Sequence, residues 1–583
     1  MELFATFESS KTWPSTLLHW KLAFLPKPHK DVIPHAGQMR PIAVGHVLYR
    51  IWSRIRLIQT QQLFTPFLAP FQSGSQGSGC QDLFISWDQE FPPENFGFCA
   101  ALDYTKCFDS LDYNIPLALF ELCGLPSQIS ALLRSQWGSH SRWVSLNGCV
   151  SPVPLRNAKG IPQGDPWSPL ALTLVLGCVS RQQKSQVPAA STLLYLDDRS
   201  ILAPDLQSLQ DAMSCWSRLE QVTRMRTNNI KTQYIARTSE AWNEFQNAGF
   251  NASKVGTILG CTLGMTPRPP SQQEKQQKAE VARIAPRISL LPVKLRFRAQ
   301  VASYTLTSKM SWGALFSGQS PDVTWFQKMF KTAVSGTYKN TRPSVALTKL
   351  FLWGHRADLG FVACQNLLKA LTRWKAVRQD FQWNFNSPML KALQTSLTKL
   401  ECQVHNNGIV SWPLGSWDLA SPPGFCDQFA HNFRVHWRRV QLTQWFSSDR
   451  NDALIARNQG FHFCTRLIDR LHLQSQKASG DEIAVMTGGL LTHVHVDQDA
   501  NTCLLCGTAY PDTDHLYWHC PFFRDIGTLP KPLDPLVARL GWNQDIHFPV
   551  LTQMAKIRAS AAEANRKNLV AAVRGGAAAP GMD

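Results

Sequence analysis

Short apolar runs alternate with helical apolar periodicities through the first 265 residues. Phe98–Leu102 and Thr192–Leu196 are brief continuous runs bounded by polar positions, and they predict buried strands. Ile115–Cys123, Ser168–Cys178 and Ser208–Val222 repeat apolar residues at helical spacing and predict helices. Turn signals, among them Gly124-Leu125-Pro126 and Asn147-Gly148, separate these elements. The alternation predicts an α/β region. A Pro-rich step, Thr266-Pro-Arg-Pro-Pro270, closes it, and helical periodicity takes over. In Val362–Arg378, Leu367, Leu371 and Trp374 share one helical face while Lys369 and Arg373 fall on another. Residues 381–480 are mixed and Trp-rich and predict further helix, a Cys/His cluster occupies 503–520, and an Ala/Gly-rich tail is expected to fray from about 555.

Charge changes this picture. The chain of 583 residues carries 59 Lys+Arg against 41 Asp+Glu, a net +18, although charged residues are only 17% of it. Residues 1–250 hold 21 basic and 19 acidic side chains, and residues 401–583 hold 16 and 17. The block 251–400 holds 22 and 5, so it carries a net +17 and nearly all of the excess. Lys and Arg concentrated in this way fit contact with a polyanion, because they displace counterions condensed on phosphates. With 31 Phe and 20 Trp the chain has material for large cores and does not read as a disordered basic tail. No apolar run reaches the roughly 18 residues of a membrane span, Leu170–Val179 being the best candidate. Glu2 and Glu8 precede any apolar run, which is not a signal-peptide pattern. The 15 Cys are mostly scattered singly, which points to a reducing compartment, nuclear or cytoplasmic.

Three segments carry candidate chemistry. Tyr195-Leu-Asp-Asp198, flanked by Leu193-Leu194 and Ile201-Leu202, sets adjacent carboxylates at the tip of a strand hairpin. Like charges so placed are costly unless a cation neutralises them, and hard oxygen donors suit Mg²⁺. Upstream, the apolar strand beginning at Ala100 ends at Asp103 and turns into a helical segment reaching Asp109. Two strands each ending in Asp can be sheet neighbours and form a two-metal site for phosphoryl transfer, a reaction that depends on positioning and charge neutralisation. Between them, Lys159-Gly-Ile-Pro-Gln-Gly-Asp-Pro-Trp-Ser-Pro-Leu170 packs two Gly and three Pro into a rigid turn, where Gln163 can hydrogen-bond a base or sugar.

The ordered series resembles the reverse transcriptases of non-LTR retrotransposons, the LINE-type and R2-like elements. Asp103 to Asp109 resembles their motif A, Gly160–Pro169 motif B, Tyr195–Asp198 motif C, Asn228-Asn-Ile-Lys-Thr232 motif D and Leu259-Gly260 motif E. Leu25-Pro-Lys-Pro28, Arg40-Pro-Ile42 and Phe71-Gln72-Ser-Gly74 with Gly79 resemble the preceding fingers elements. The likeness covers roughly residues 20–265, with intervals of 60 residues from Asp103 to Gln163, 34 from Gln163 to Asp197 and 34 from Asp197 to Lys231. Leu196, Trp167 and Cys107 depart from the usual Ala, Leu and Ala, each beside an intact chemical position.

The resemblance implies an α/β right-hand polymerase with a ferredoxin-like palm. Fingers and palm would occupy 1–265, a basic helical thumb 266–380, a helical connector 381–485, a zinc segment 486–545 and a flexible tail 546–583. It implies catalytic, metal-binding roles for Asp103, Asp197 and Asp198 with Mg²⁺, and a general-acid role for Lys231. Arg40 would meet the triphosphate, Phe108 would exclude a 2′-hydroxyl, and Gln163 and Gly164 would form the nucleotide and template turn. Asp109 sits near where RNA polymerases read that hydroxyl, but the Phe-Asp pair is usual in these retroelements. Lys27 and Lys30 read equally well as ligands or solvated side chains. Lys275, Lys278, Arg283, Arg287, Lys294, Arg296 and Arg298 would grip the template–primer backbone. Partners would be an RNA template, a DNA primer and deoxynucleoside triphosphates, with no membrane.

Cys503-x2-Cys506-x8-His515-x4-Cys520 suits tetrahedral Zn²⁺ and resembles the zinc segment that follows the polymerase in these elements. His519 could replace His515 by spacing, whereas His493 and His495 read as surface residues. The fingers motifs begin within 30 residues of the start, and the 63 residues after Cys520 show no carboxylate–Lys constellation, so an endonuclease is expected to be separate or missing. The competing expectations are a catalytically silent nucleic-acid-binding relic, disfavoured by the intact carboxylates and Lys231, and a group II intron maturase, disfavoured by the zinc segment.

Overall fold

The computed structural model describes residues 2–26, 39–69, 71–73, 79–146, 149–156, 159–223, 225–265, 272–335, 344–413, 415–459, 470–471, 474–475, 477–487, 496–497, 502–503, 505–506, 515–525, 529–543 and 545–574. Lys27, Lys30, Gly74, the Asn147-Gly148 turn, His493 and His495 lie outside them. The chain divides into two compact units, Met1–Pro269 and Pro270–Asp583, so the division falls within the Pro-rich step.

The first unit holds two main sheets. One joins β1 (His19–Pro26), β2 (Met39–Val44), β5 (Ser141–Leu146), β6 (Cys149–Val150) and β7 (Leu155–Arg156), with β1 antiparallel to β2 and parallel to β5. The other runs in the order β11 (Ala252–Ser253), β10 (Gln233–Ala236), β4 (Phe98–Leu102), β9 (Asp198–Ala203), β8 (Ser191–Tyr195) and β3 (Gln72–Ser73). Strands β12 (Val255–Ile258) and β13 (Cys261–Gly264) form a separate hairpin. This is the mixed α/β architecture of a right-hand polymerase. The palm strands form where the apolar runs predict them because β4, β8 and β9 are buried nearly throughout, which demands continuous apolar sequence rather than alternation. Helices Ser168–Gln186 and Leu206–Thr223 pack on the same core, which includes Leu172, Leu176, Leu209 and Trp216. The helix predicted over Ile115–Cys123 spans Asn114–Leu122.

Helix predominates in the second unit, as the periodicity predicts, with the helix expected over Val362–Arg378 observed at Leu359–Val377. One core gathers Val281, Ala299, Phe326, Phe330 and Leu359, and a second gathers Leu347, Leu442, Trp445, Met486, Cys503, Cys520 and Leu551. The Cys/His segment therefore shares its packing with neighbouring helices. Two expectations are corrected. The connector read as helical contains a three-stranded antiparallel sheet, β14 (Gln403–Val404), β15 (Ile409–Trp412) and β16 (Gly415–Asp418), in which Val410, Trp412 and Trp417 bury their apolar bulk. The tail expected to fray is helix Phe548–Arg574, because Leu551, Met554, Ile557 and Ala561 recur at helical spacing and are buried. Among the described residues no two cysteines are joined by a disulfide, and no helix is long and apolar enough to cross a membrane.

Candidate active site in the palm

Strands β4 and β9 pair antiparallel with Leu102 opposite Arg199, and β8 and β9 pair with Tyr195 opposite Asp198. This register brings Asp103, just beyond β4, to the end of the palm sheet where the 195–198 turn reverses the chain. Leu196 takes φ +53° in that turn, and Lys106 takes φ +50° after Asp103. A branched or long side chain in the left-handed region is disfavoured. Both occurrences lie beside the carboxylates, so local backbone strain is held where the chain aims its charges.

The carboxylates feel one another. Asp198 is pushed up to about 7, first by burial and then by Asp197 and Asp103, while Lys231 and Arg40 pull it back. Asp197 is raised chiefly by burial, with Asp103 adding to the rise and its own backbone amide, Lys231 and Arg40 opposing it. Beneath them Cys107 is 2% exposed, and its thiol is raised by burial and then by the Asp197 charge. Hard oxygen donors that raise one another's proton affinity form a set that a divalent cation would satisfy. Asp103 is also paired with the Nζ of Lys231, whose side chain is 64% exposed. The sequence-predicted set Asp103, Asp197, Asp198 and Lys231 is thus brought together, and the charge of Arg40, an exposed residue on β2, reaches it.

The turn between motifs A and C is locked by backbone contacts that only glycine allows. Ile161 N donates to Phe108 O at 2.8 Å, and at Gly160 (φ +91°) a Cβ would stand 2.8 Å from Asp109 O. Ala43 N donates to Gln163 O at 2.7 Å, and at Gly164 (φ +117°) a Cβ would stand 2.5 Å from Ala43 O. Motif B is therefore pinned to motif A on one side and to β2 on the other. Phe108 is half-buried against the core edge. Asp109 faces Arg142 of β5: burial lowers the Arg142 guanidinium, and the Asp109 charge opposes that shift.

Sequence reasoning missed two buried groups. Asp165 accepts hydrogen bonds from Tyr49 Oη, from Trp137 Nε1 at 3.1 Å and from Trp167 N at 2.8 Å, and thereby holds the motif B turn. Arg199, directly after the paired carboxylates, is 2% exposed and donates to Tyr104, Glu220 and Thr227. No local pattern marks Arg199, because Tyr104, Glu220 and Thr227 lie far from it along the chain.

In the second unit the predicted basic residues divide. Lys275, Arg283, Arg287 and Lys294 are exposed, the first three on helix Gln272–Ser289. Lys278 pairs with Asp322 at 2.9 Å and lies 5.3 Å from the centre of the Trp325 ring. Arg296 and Arg298 turn inward. Arg296 Nη2 donates to Ser475 O at 2.5 Å and Phe351 O at 3.3 Å, and burial lowers its guanidinium. Arg298 donates to Leu291 O at 3.1 Å and Val334 O at 3.5 Å.

Among the described residues Cys503, Cys506, His515 and Cys520 form a group in which each brings a ligand atom within 4.8 Å of all the others. Cys506 Sγ lies 3.3 Å from His515 Nε2. Burial, opposed by a backbone hydrogen bond and helped by the neighbouring thiols, raises Cys520 to about 12. His515 is buried while His519 is exposed and 515 belongs to the cluster, so the closer-spaced alternative does not enter it. Three sulfurs and one imidazole nitrogen gathered in this way suit tetrahedral zinc.

Comparison with known proteins places these features. No curated protein matches the chain significantly. Similar solved structures include an apo telomerase from Candida tropicalis truncated from the C-terminal domain, at 13% identity and TM-score 0.31, covering 45% of this chain and 58% of that one. Another is a telomerase from Candida albicans in complex with a fragment of telomeric RNA, at 12% identity and TM-score 0.34, covering 68% and 66%. The chain thus spans less than two thirds of either. The family model described as reverse transcriptase (RNA-dependent DNA polymerase) matches residues 25–263, which includes each motif assembled above from Arg40 to Leu259. The chain therefore carries, over residues 25–263, a reverse transcriptase domain of the RNA-directed DNA polymerase class.

Proposed function

We propose that this chain is the RNA-directed DNA polymerase of a non-LTR, R2-like retroelement, extending a DNA primer on an RNA template with deoxynucleoside triphosphates. The observation that carries the reading is the convergence of Asp103, Asp197 and Asp198 with the charges of Lys231 and Arg40 at one end of the palm sheet. Asp103, Asp197 and Asp198 would hold Mg²⁺, which when bound supplies charge neutralisation for the attacking hydroxyl and the leaving pyrophosphate. Arg40 offers a planar donor fork to triphosphate oxygens. The Lys231 ammonium, paired with Asp103, would give its proton to the pyrophosphate oxygen as the P–O bond breaks. Phe108 would crowd a 2′-hydroxyl and favour deoxynucleotides. Gln163 and Gly164 line the turn that receives the templated pair, their backbone fixed by β2. Cys503, Cys506, His515 and Cys520 would hold a structural Zn²⁺. Nuclear or cytoplasmic residence accompanies this reading.

Extension of a DNA primer on an RNA template tests it. Wild-type chain should make product, and Asp197→Ala should lower the rate by on the order of 10³-fold or more, the loss of several kcal/mol of transition-state neutralisation. No product from the wild type, or an unchanged rate in Asp197→Ala, would overturn it.

A further inference from the structure

We infer that Arg199 is a positioning residue that holds the 226–232 segment on the Asp103 strand, so that Lys231 meets the carboxylates; this rests on the polymerase role proposed for Lys231. Arg199 is the first residue after the paired carboxylates, set in β9 opposite Leu102 and Leu194. Its side chain is 1% exposed. It stands 4.0 Å from the centre of the Tyr104 ring and 5.0 Å from that of Trp216. Nη1 donates to the Tyr104 hydroxyl, while Nη2 donates to Glu220 Oε1 at 2.8 Å and to Thr227 Oγ1. Thr227 closes the network by donating its hydroxyl to Glu220 Oε1 and its amide to Glu220 Oε2 at 3.3 Å.

A guanidinium withdrawn from water carries a large desolvation cost and persists only where charge and hydrogen bonds offset it. Here the offset comes from one carboxylate on helix Leu206–Thr223, one phenol after β4 and one hydroxyl in the segment that follows that helix. Those groups belong to three separate stretches of chain, and Arg199 is their common partner.

The backbone shows what is being held. Thr105 N donates to Arg226 O at 2.8 Å, Asn228 N donates to Asp103 O at 2.8 Å, and Tyr104 and Thr227 form a bridge between them. The segment is thus zipped to residues 103, 104 and 105. It then turns, with Lys231 N donating to Asn228 O at 3.0 Å, and presents Lys231 to Asp103. Thr227 is the residue of the 226–232 segment whose side chain accepts from Arg199, so the buried cation acts on Lys231 through Thr227. Arg199 itself touches none of the reacting groups.

Thr227→Val keeps the side-chain shape and removes the hydroxyl, so it spares the fold where a change at Arg199 could disrupt it. In primer extension by the full chain, Thr227→Val should lower kcat by on the order of 10²-fold, the scale of a misplacement of about 1 Å, with KM for the nucleotide within about threefold. Thr227→Ser, which restores the hydroxyl, should recover most of the loss. Added to Lys231→Ala, Thr227→Val should cost less than about threefold more, because both changes remove the same group. Independently of activity, amide exchange at Asn228 and Thr105 should accelerate at least about tenfold in Thr227→Val and stay unchanged in Lys231→Ala. Full additivity of the two losses, or unaltered exchange in Thr227→Val, would overturn the inference. A wild-type chain inert in primer extension would instead defeat the polymerase reading, and the exchange measurement would still decide whether this network holds the segment.

Discussion

The two units both bury charged side chains, and they use them differently. In the first, the buried groups sit on the motifs: Asp165 ties the motif B turn to Tyr49 and Trp137, and Arg199 ties motif C to the segments around Tyr104 and Thr227. In the second, Lys349 and Asp358, each 6% exposed, pair at 2.7 Å, and Asp358 also accepts from Phe361 N and Trp437 Nε1 at 3.2 Å. Burial alone would raise Asp358, but the Lys349 ammonium and these donors hold it below the ordinary carboxylate range. Trp445 Nε1 and Arg450 Nε donate to Asp452. None of these partners is itself a residue of the Cys/His cluster or of the palm carboxylate set, whereas the first unit's adjoin the latter. Buried charge in the palm sets the aim of reactive groups; in the second unit it fixes helix packing.

Metal removal should sharpen this contrast most. Structural zinc contributes on the order of 10 kcal/mol in zinc-finger peptides. The Cys/His cluster shares a core with Leu347, Trp445 and Leu551, so chelation should unfold more than the segment around it. A thermal scan of the full chain with and without chelator should show the second unit's transition falling by roughly 10 °C or more. Zinc content near one per chain before chelation is part of the expectation. A chain that carries no zinc, or whose transition does not move, would show the four ligands to be a buried thiol cluster only.

Lys349→Met comes next in size. It removes one member of a buried pair and strands Asp358, which costs about 3–5 kcal/mol in such cases. Because the pair fixes packing and not chemistry, primer extension well below the melting temperature should keep its kcat within about threefold. A large loss of kcat with little loss of stability would break the distinction between the units.

The same distinction explains what was legible in the sequence. Motif positions were readable because chemistry or backbone geometry restricts them to one residue type: Asp at 103, 197 and 198, Gly at 160 and 164. The palm strands were readable because burial on both faces leaves an unbroken apolar run. Arg199 was not, since a buried guanidinium depends on Glu220 and Thr227, which are 21 and 28 residues away and carry no local pattern. The 403–418 sheet escaped because its strands have two to four residues each, too short to show a period. The helix at 548–574 escaped because its Ala content looks like fraying until four buried positions are seen to share a face.

The basic block shows the same limit, and it leads to the smallest expected effect. A charge count cannot say which way a side chain turns. Arg296 and Arg298 looked equivalent to Arg283 and Arg287, yet they donate to carbonyls inside the second unit, while the other two are exposed. If exposed residues of helix Gln272–Ser289 neutralise phosphates, each phosphate left without its cation should reduce the slope of log affinity against log salt by about 0.9 on a B-form duplex. Arg283→Glu and Arg287→Glu should therefore weaken template–primer binding at low salt, and each should flatten that slope by about this amount. Arg298→Gln should lower stability and leave the slope alone, because its guanidinium is spent on Leu291 and Val334. Titrating labelled duplex at several salt concentrations separates the two outcomes. A flattened slope in Arg298→Gln but not in Arg283→Glu would mean that the inward residues reach the nucleic acid and the exposed face does not, reversing the assignment within the block.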